Sequence, residues 1–433
     1  MATQVNPPRG MRDFLPADKA RREHALGVIR GVYRAHGFDE IETPVVEDWA
    51  RLHAGLGGDN EKLSFSILKR GITSDALAAA ASMGTPDDLA DLGLRFDLTV
   101  PLTRFYASHR AELPPVFRAI QIAPVWRAER PQKGRYRQFV QADIDIIGEP
   151  GMLAEVELIT ATSQALSALG LEGCVIRVND RRILFGLLDY CGFAASLHDR
   201  ALISIDKLDK IGTSGVIDEL TELDATGAAA LGTVLSRVEP LLAGDGIALT
   251  RESISSALPE GAAQAGVDNL AAIGDALVGA LPVGVEIRFD PTLVRGMGYY
   301  TGTIFEVAHP GSGSSVGGGG RYDGMVGRFL GQDVPAVGFS IGFERVVDLI
   351  ELPEHEGPES VALVFDADAN PADLSALKRQ LISEGHRVRL ERRQKNMKAL
   401  LDRLSGEGFT RFANVRAGER ERDSLELREL GRG

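Results

Sequence analysis

The first hundred residues show three patterns of apolar and polar positions that predict secondary structure. Apolar residues recur at helical spacing from 17 to 36, directly after Pro16, and predict an amphipathic helix. Residues 38 to 44 alternate and predict a strand that ends at a proline. Residues 94 to 96 predict a short strand, followed by a helix that begins near Pro101. Proline is tolerated in the first turn of a helix, because the backbone N–H that it lacks would have no helical partner there.

The middle of the chain predicts a pair of strands with an unusual connection. Residues 119 to 126 and 138 to 147 are apolar or alternating and predict two antiparallel strands. The charged loop between them is long, and long loops inside compact domains are usually functional. A helix at 152 to 169 and a strand at 174 to 179 follow.

The second half of the chain predicts a helical stretch and then a return to strands. Residues 181 to 282 are rich in Ala, Leu, Asp and Glu and predict an inserted helical domain. Strands and a last helix are predicted afterwards at 285–289, 302–308, 336–340 and 341–351. Residues 353 to 358 predict a linker. Beyond it, alternation of strands and helices predicts a small α/β unit, with elements at 361–365, 371–384, 387–390, 393–405 and 411–415.

The composition narrows the class of protein. The chain has 433 residues, 44% apolar and 25% charged, which fits a soluble globular protein of two or three domains. Its apolar stretches are shorter than the roughly 18 to 20 residues a bilayer requires, and the N-terminus has no apolar secretory segment, which together favour a cytoplasmic location. Cys174 and Cys191 form no metal or disulfide pattern and are predicted to be buried thiols. A net charge of −13 argues against non-specific nucleic-acid binding but not against a specific basic surface.

Two stretches are locally basic. Residues 127 to 137, in the loop between the paired strands, carry several arginines and one lysine, and residues 378 to 398 form a second basic run. Guanidinium groups pair with phosphate through two hydrogen bonds, so the first stretch can hold a triphosphate and stabilise charge at its α-phosphate. The alternatives are a salt-bridged surface hairpin for the first stretch and a solvated face for the second.

A glycine-rich tract runs from Gly311 to Gly324. It lacks the Gly-Lys-Ser/Thr of a phosphate-binding loop, and no Gly-x-Gly-x-x-Gly opens a helix after a strand. Glycines also allow a backbone to lie very close to a ligand. Taken alone, the tract favours a flexible loop.

Three further motifs combine ionisable and aromatic residues. Residues 293 to 301 hold an arginine beside two tyrosines, for which a buried aromatic pair at a strand end is the alternative. Residues 95 to 101 place Asp97 and Thr99 on one face of a predicted strand. Residues 338 to 345 predict a strand that meets a helix with an arginine in its first turns.

Together these motifs resemble a class II aminoacyl-tRNA synthetase, and specifically the histidyl-tRNA synthetase family. The helix and strand that end at Pro44 resemble the first class motif. Residues 117–147, with Arg-Ala-Glu at 127–129, resemble the second motif, and residues 338–345 resemble the third. Residues 293–300 and 318–324 resemble the two stretches that are typical of the histidine enzymes. A further long match to the family is found at 130–139, Arg-Pro-Gln-Lys-Gly-Arg-Tyr-Arg-Gln-Phe. The resemblance extends from Pro8 to about Val415.

The resemblance implies an α+β fold with a class II antiparallel sheet core flanked by helices. In that fold residues 1 to 180 and 283 to 352 form the catalytic core, and 181 to 282 the inserted helical domain. The linker at 353 to 358 leads to a C-terminal α/β anticodon-binding-like domain at 359 to 433.

The resemblance also implies roles for eleven residues. The catalytic groups would be Arg295 and Arg127 at the α-phosphate, with Arg295 in the place of a metal ion that other class II enzymes use, so that no protein metal site is expected. The ATP-binding residues would be Arg127, Glu129 at the adenine and Arg345 at the triphosphate. The histidine-binding residues would be Asp97, Thr99 and Gln141 at the ammonium, Asp145 and Tyr300 at the imidazole, Tyr322 closing the pocket, and Tyr299.

The implied reaction uses ATP to activate histidine and then charges tRNA(His). Magnesium would bridge the β- and γ-phosphates, and the chain would form a homodimer through the first class motif. A pocket that pairs both imidazole nitrogens can discriminate by ~10⁴ or more, so no editing domain is expected.

Some residues depart from the family pattern. Gly298 stands where the family usually has an aspartate, and Asp97 and Asp145 stand where many bacterial members have glutamate. The short C-terminal domain and its charged tail from Arg420 make anticodon recognition the least supported expectation. The alternative is a synthetase-like regulatory subunit of ATP phosphoribosyltransferase that charges no tRNA. Such subunits typically lack the catalytic arginine and the C-terminal domain, and this chain has both, which favours the enzyme.

Overall fold

The structure is a computed structural model that describes residues 5–53, 63–131, 134–244, 246–261, 263–295, 298–351 and 359–431. These residues form two compact units, one that ends at Glu351 and one from residue 359 onward. The predicted linker at 353–358 lies outside the described residues, as do Gln132 and Lys133 of the long motif at 130–139. Within the described ranges, every helix is either too short or too polar to cross a bilayer.

The first unit contains thirteen α-helices and twelve strands within the described ranges. Its helices are α1 (Pro16–Ala35), α2 (Trp49–His53), α3 (Ser74–Met83), α4 (Thr99–His109), α5 (Leu153–Ala168), α6 (Arg181–Tyr190), α7 (His198–Ile205), α8 (Leu208–Thr221), α9 (Ala225–Ala243), α10 (Arg251–Ala257), α11 (Gln264–Leu277), α12 (Asp323–Leu330) and α13 (Phe343–Leu349). Its strands are β1 (Asp39–Glu40), β2 (Val46–Asp48), β3 (Phe65–Leu68), β4 (Ala90–Leu94), β5 (Phe117–Trp126), β6 (Gln138–Ile147), β7 (Val175–Asp180), β8 (Ile247–Ala248), β9 (Glu286–Phe289), β10 (Thr303–Ala308), β11 (Gly317–Arg321) and β12 (Ala336–Ile341).

A nine-stranded sheet forms the centre of the first unit, in the order β1-β5-β6-β12-β11-β10-β7-β9-β8. Its pairs are antiparallel except for β1 with β5 and β7 with β9, which are parallel. A second sheet of this unit has three antiparallel strands in the order β2-β4-β3. The predicted antiparallel pair at 119–126 and 138–147 is therefore observed as β5 and β6.

Alternation along β6 explains how one sheet carries both a core and a polar site. Successive side chains of a strand point to opposite faces. Ala142, Ile144 and Ile146 are fully buried in the apolar core, which α1 and α5 help to form. Gln141, Asp143 and Asp145 alternate with them and line a cavity.

The structure corrects several boundaries near the N-terminus. The strand predicted at 38–44 is only Asp39–Glu40, which pairs with β5. The strand predicted at 94–96 is β4 and ends at Leu94, so Asp97 and Thr99 do not share a strand face. Asp97 lies in the connection to α4, and Thr99 is the first residue of that helix.

The glycine tract is also different from its prediction as a flexible loop. Residues 317 to 321 form β11, a fully paired strand between β10 and β12. Glycine inside a strand usually marks a close approach by another group, and here it marks the floor of the cavity described below.

The region from 181 to 282 is mainly helical and runs from α6 to α11. Its buried leucines belong to the same apolar core as the large sheet. Two details differ from a purely helical stretch: Ile247–Ala248 is a strand at the edge of that sheet, and Gly212 breaks the regular geometry of α8 with φ +68°.

The second unit is built from β13 (Ser360–Phe365), α14 (Pro371–Ser383), β14 (Arg387–Arg392), α15 (Met397–Gly406), β15 (Arg411–Val415) and β16 (Arg428–Glu429). Its sheet has the order β14-β13-β15-β16, with β13 parallel to both β14 and β15. The helix predicted at 393–405 begins later, because the N–H of Arg393 still donates to the carbonyl of Phe365 at 2.8 Å and extends the chain.

Candidate active site

A cavity of about 480 Å³ lies in the first unit against β6, β11 and β12. Its wall includes all eleven residues that the sequence singled out: Asp97, Thr99, Arg127, Glu129, Gln141, Asp145, Arg295, Tyr299, Tyr300, Tyr322 and Arg345. These residues come from both sides of the helical region and from six separate parts of the chain. The fold therefore brings together side chains that are far apart in sequence.

Glycines form part of the cavity floor and create space for the site side chains. A Cβ on Gly318 would lie 2.8 Å from the guanidinium carbon of Arg295, and one on Gly320 would lie 2.9 Å from the ring of Tyr300. A Cβ on Gly338 would lie 2.1 Å from Oδ1 of Asp145. Real Cβ contacts are not this short, so a larger residue at any of these positions would displace a candidate site group.

One end of the cavity is acidic. Asp145 accepts a hydrogen bond of 2.6 Å from the hydroxyl of Tyr322 and is almost fully buried. Burial raises the pKa of Asp145 to about 7 and that of Asp97 to about 6. Burial, together with the charge of Asp145, also raises the pKa of Asp143 well above its ordinary value. Three carboxyl groups thus share a site where each would gain from a cationic partner.

Several acceptor atoms at this end have no partner among the described residues. They are Oδ2 of Asp97, Oδ1 of Asp143 and Oε1 of Gln141. A buried acceptor without a donor costs roughly 1–3 kcal/mol, and more when it is charged. Such atoms suit a ligand that donates N–H bonds, as an ammonium group or an imidazole does.

Aromatic rings close this end. The ring centroids of Tyr299 and Tyr300 are 4.8 Å apart, and those of Tyr299 and Tyr322 are 6.1 Å apart in an edge-on arrangement. All three tyrosines are buried. Burial raises the pKa of Tyr322 far above its usual value, so its hydroxyl remains a proton donor. The rings give a small planar ligand apolar walls and restrict entry of water.

The other end of the cavity is basic. Nε of Arg127 donates to the carbonyl of Phe96 at 3.0 Å, and its guanidinium lies 5.1 Å from the ring centre of Phe139. Arg345 donates to the carbonyl of Ser315. Burial, and then the positive charge of Arg135, lowers the pKa of Arg345, with Arg295 and Arg127 contributing further repulsion. Clustered cations that repel one another are ready to bind a polyanion.

Glu129 and Arg295 occupy the remaining part of the basic end. Glu129 accepts a 3.3 Å hydrogen bond from Arg135 within the loop that joins β5 and β6. Nη1 of Arg295 donates to Oε2 of Glu306 at 2.7 Å. Burial lowers the pKa of Arg295, but the nearby Tyr300 and Glu306 raise it more, so the net shift is upward.

Sequence reasoning missed four residues that line this cavity or hold its arginines. Asp143 has the same strand spacing as Gln141 and Asp145, and that alternation was the signal that would have found it. Glu306 and Arg177 form an ion pair between two strands that are distant in sequence, and Asp206 lines the cavity from the helical region. The sequence has no local signal for any of these three residues.

Comparison with known proteins matches the chain to one family. The sequence model of the family described as histidyl-tRNA synthetase matches residues 10 to 346. The chain belongs to the histidyl-tRNA synthetase family. The family membership that the motifs implied is thus confirmed.

Curated relatives of this family match nearly the whole chain. The histidine–tRNA ligase of Leifsonia xyli subsp. xyli (strain CTCB07) is 68% identical over 417 residues, which cover 96% of each chain. The probable histidine–tRNA ligase of Tropheryma whipplei (strain Twist) is 44% identical over 415 residues, 94% of this chain and 95% of that protein.

Solved structures confirm the α+β class II fold. The histidyl-tRNA synthetase of Nostoc sp. PCC 7120 superposes with a TM-score of 0.75 at 24% identity, covering 99% of this chain and 95% of the other. A Bacillus halodurans protein described as an ATP phosphoribosyltransferase regulatory subunit/histidyl-tRNA synthetase gives 0.73 at 21% identity, covering 96% and 98%. At these identities the similarity concerns the fold alone.

Proposed function

We propose that this chain is a histidine–tRNA ligase, which activates histidine with ATP and transfers it to the 3′ end of tRNA(His). The observation that carries the proposal is the division of one cavity into an acidic, tyrosine-walled end and an arginine-rich end. The first end suits the ammonium and imidazole of histidine, and the second suits a triphosphate. The 68% identical ligase of Leifsonia supports the same activity.

In the first step a carboxylate oxygen of histidine forms a bond to the α-phosphorus of ATP, and the bond to the pyrophosphate breaks. Charge builds up on the α-phosphate oxygens, where Arg127 and Arg295 would stabilise it. Arg345 would hold the leaving phosphates and Glu129 the adenine. Positioning accounts for most of the catalysis, because no side chain has to form a covalent bond.

Asp97, Thr99 and Gln141 would bind the ammonium, and Asp145 and Tyr300 the imidazole. Tyr322 would close the pocket by holding Asp145, and Tyr299 would pack beside them. In the second step the terminal hydroxyl of tRNA(His) attacks the carbonyl carbon of the mixed anhydride and AMP leaves. The α/β unit from residue 359 would contact the anticodon.

Magnesium belongs to the proposal as an ion that ATP carries. Glu306, a carboxylate on the cavity wall, is already held by Arg177 and Arg295. The described residues also contain no group of three or more His, Cys, Asp or Glu arranged around a metal position. The residues therefore fit an ion bound mainly by phosphate oxygens and water. When bound, magnesium would neutralise charge on the β- and γ-phosphates.

The test is histidine-dependent exchange of labelled pyrophosphate into ATP, with each of the twenty amino acids in turn, followed by charging of tRNA(His). We expect exchange with histidine alone, and charging that releases AMP. Absence of exchange with every amino acid, in a folded protein, would favour the regulatory-subunit alternative. We also propose a homodimer in the cytoplasm, and light scattering that gives the mass of one chain would contradict the dimer.

A further inference from the structure

One row of paired positions crosses the large sheet beneath Arg295. In this row Asp143 of β6 pairs with Ser340 of β12, which pairs with Gly318 of β11. Gly318 pairs in turn with Glu306 of β10. The next pair is Glu306 with Arg177 of β7. Paired positions project to the same face of a sheet, so Glu306 and Arg177 continue the cavity floor sideways from the glycine on which Arg295 rests.

Glu306 bonds to a different arginine through each carboxylate oxygen. Its Oε2 accepts from Nη1 of Arg295 at 2.7 Å, and its Oε1 accepts from Nη2 of Arg177. Burial raises the pKa of Glu306, but Arg295 and Arg177 lower it more, so the carboxylate stays ionised. Because one oxygen of Glu306 accepts from Arg177, Glu306 accepts only one hydrogen bond from Arg295 instead of two. Arg295 therefore keeps donors for another anion, and its Nε has no partner among the described residues.

Arg177 also fixes the start of the segment that carries Arg295. Its Nη1 donates to Oδ2 of Asp290 at 3.2 Å. The other oxygen of Asp290 accepts from the N–H of Thr292 at 2.9 Å and from its hydroxyl at 2.6 Å, which shapes the turn after β9. Asn179, two residues along β7, donates to the carbonyl of Leu293 at 3.1 Å.

We propose that Glu306 and Arg177 are positioning residues for Arg295 in adenylate formation. Arg177 holds the Glu306 carboxylate on one side and the Asp290 turn on the other, so that the Arg295 guanidinium faces the α-phosphate with free donors. This inference rests on the proposed function. The ion pair that the structure shows for Arg295 is with Glu306 of β10, which Arg177 of β7 holds in turn.

The test measures histidine-dependent pyrophosphate exchange for Glu306→Gln and Arg177→Met, each alone and combined with Arg295→Ala. We expect kcat to fall about 10- to 100-fold for Glu306→Gln and about 10-fold for Arg177→Met, with the KM for histidine changed less than about twofold. In the Arg295→Ala background each change should cost less than about twofold, because residues that act through one group are not additive.

The controls separate positioning from a general structural role. Arg288, the next position of the row on β9, pairs with Glu286 and not with Glu306, so Arg288→Met should keep the full kcat. Arg177→Lys should recover part of the loss, since it restores one donor to Glu306. Thermal unfolding should remain cooperative in every variant, and Glu306→Asp serves in place of Glu306→Gln if the latter does not fold.

Two outcomes would overturn these roles. Unchanged kcat in Glu306→Gln and Arg177→Met, or the same fold-loss with and without Arg295, would overturn the positioning role while the unaltered chain still exchanged pyrophosphate. Failure of the unaltered chain to exchange with histidine would overturn the proposed function itself, and the positioning role with it.

Discussion

The two ends of the cavity are built in different ways. At the acidic end Gln141, Asp143 and Asp145 project from alternate positions of one central strand. At the basic end the arginines come from a loop, from the segment after β9 and from α13. Backbone carbonyls hold Arg127 and Arg345, and an ion pair with Glu306 holds Arg295. Strand geometry thus fixes the three polar side chains of β6, whereas each arginine of the basic end depends on a contact with another element of the chain. Substitutions at the acidic end should change the binding of one ligand, and those at the basic end should change the reaction rate.

The largest effect is expected at the basic end, for Arg295→Ala. Loss of a fixed cation beside the α-phosphate should lower kcat for pyrophosphate exchange by about 10² or more. The KM for histidine should change little, since Arg295 forms its ion pair with Glu306 and not with any of the three carboxyl groups. Steady-state exchange over a range of histidine concentrations checks both values, and activity like that of the unaltered chain would remove Arg295 from the catalytic groups.

At the acidic end, Asp145→Asn should raise the KM for histidine about 10- to 100-fold, because a buried charged acceptor is lost while the shape is kept. The KM for ATP should stay within about twofold. Asp275→Asn, on the exposed side of α11, is the matched control and should behave like the unaltered chain. An equal rise in both KM values would mean that the two ends are not separate sites.

The pH dependence of the free energy of unfolding is a third property that should depend on the acidic end. Burial raises the pKa of Asp97 to about 6 and that of Asp145 to about 7, from an ordinary 3.8. Between about pH 4 and pH 7 the ligand-free folded chain therefore binds more protons than the unfolded chain, and its free energy of unfolding should fall as pH rises.

Asp145→Asn should remove about 2 to 4 kcal/mol of that fall, since one titrating group is gone. Urea unfolding at pH 4.5 and pH 7.5 measures the difference, with Asp275→Asn as the control. Parallel curves for Asp145→Asn and the unaltered chain would contradict the raised pKa.

The smallest effect is expected for Gly298→Asp, which introduces the residue that the family resemblance leads us to expect at this position. Apart from its own chain neighbours, no heavy atom of the described residues lies within 4 Å of a Cβ added there. We therefore expect kcat and both KM values to change less than about threefold. Gly338→Ala is the contrasting variant, because its Cβ would lie 2.1 Å from Oδ1 of Asp145, and it should weaken histidine binding. A large loss in Gly298→Asp would show that position 298 does support the basic end.

Some of this architecture could be predicted from the sequence. The alternation of β6 predicted the strand, and its resemblance to the family singled out Gln141 and Asp145. Asp143 has the same two-residue spacing and so points to the same face, but the resemblance names no role for it. The family resemblance, and not local propensity, predicted that these eleven distant residues lie close together.

Other features depend on contacts that no local pattern contains. Arg177 and Glu306 are 129 residues apart and meet only because β7 and β10 pair in one register. The glycine tract resembles a flexible loop in isolation, since glycine disfavours a strand. It forms β11 because two neighbouring strands supply its hydrogen bonds and Arg295 and Tyr300 fill the space above it.

The glycine floor has a consequence for attempts to redesign the amino-acid preference. A side chain can be shortened to enlarge a pocket, but glycine has nothing left to remove. Substitutions at Gly318, Gly320 and Gly338 can therefore only make the pocket shallower. Room for a bulkier analogue must come from the tyrosine walls, and a variant library intended to accept larger substrates should begin at Tyr299 and Tyr322.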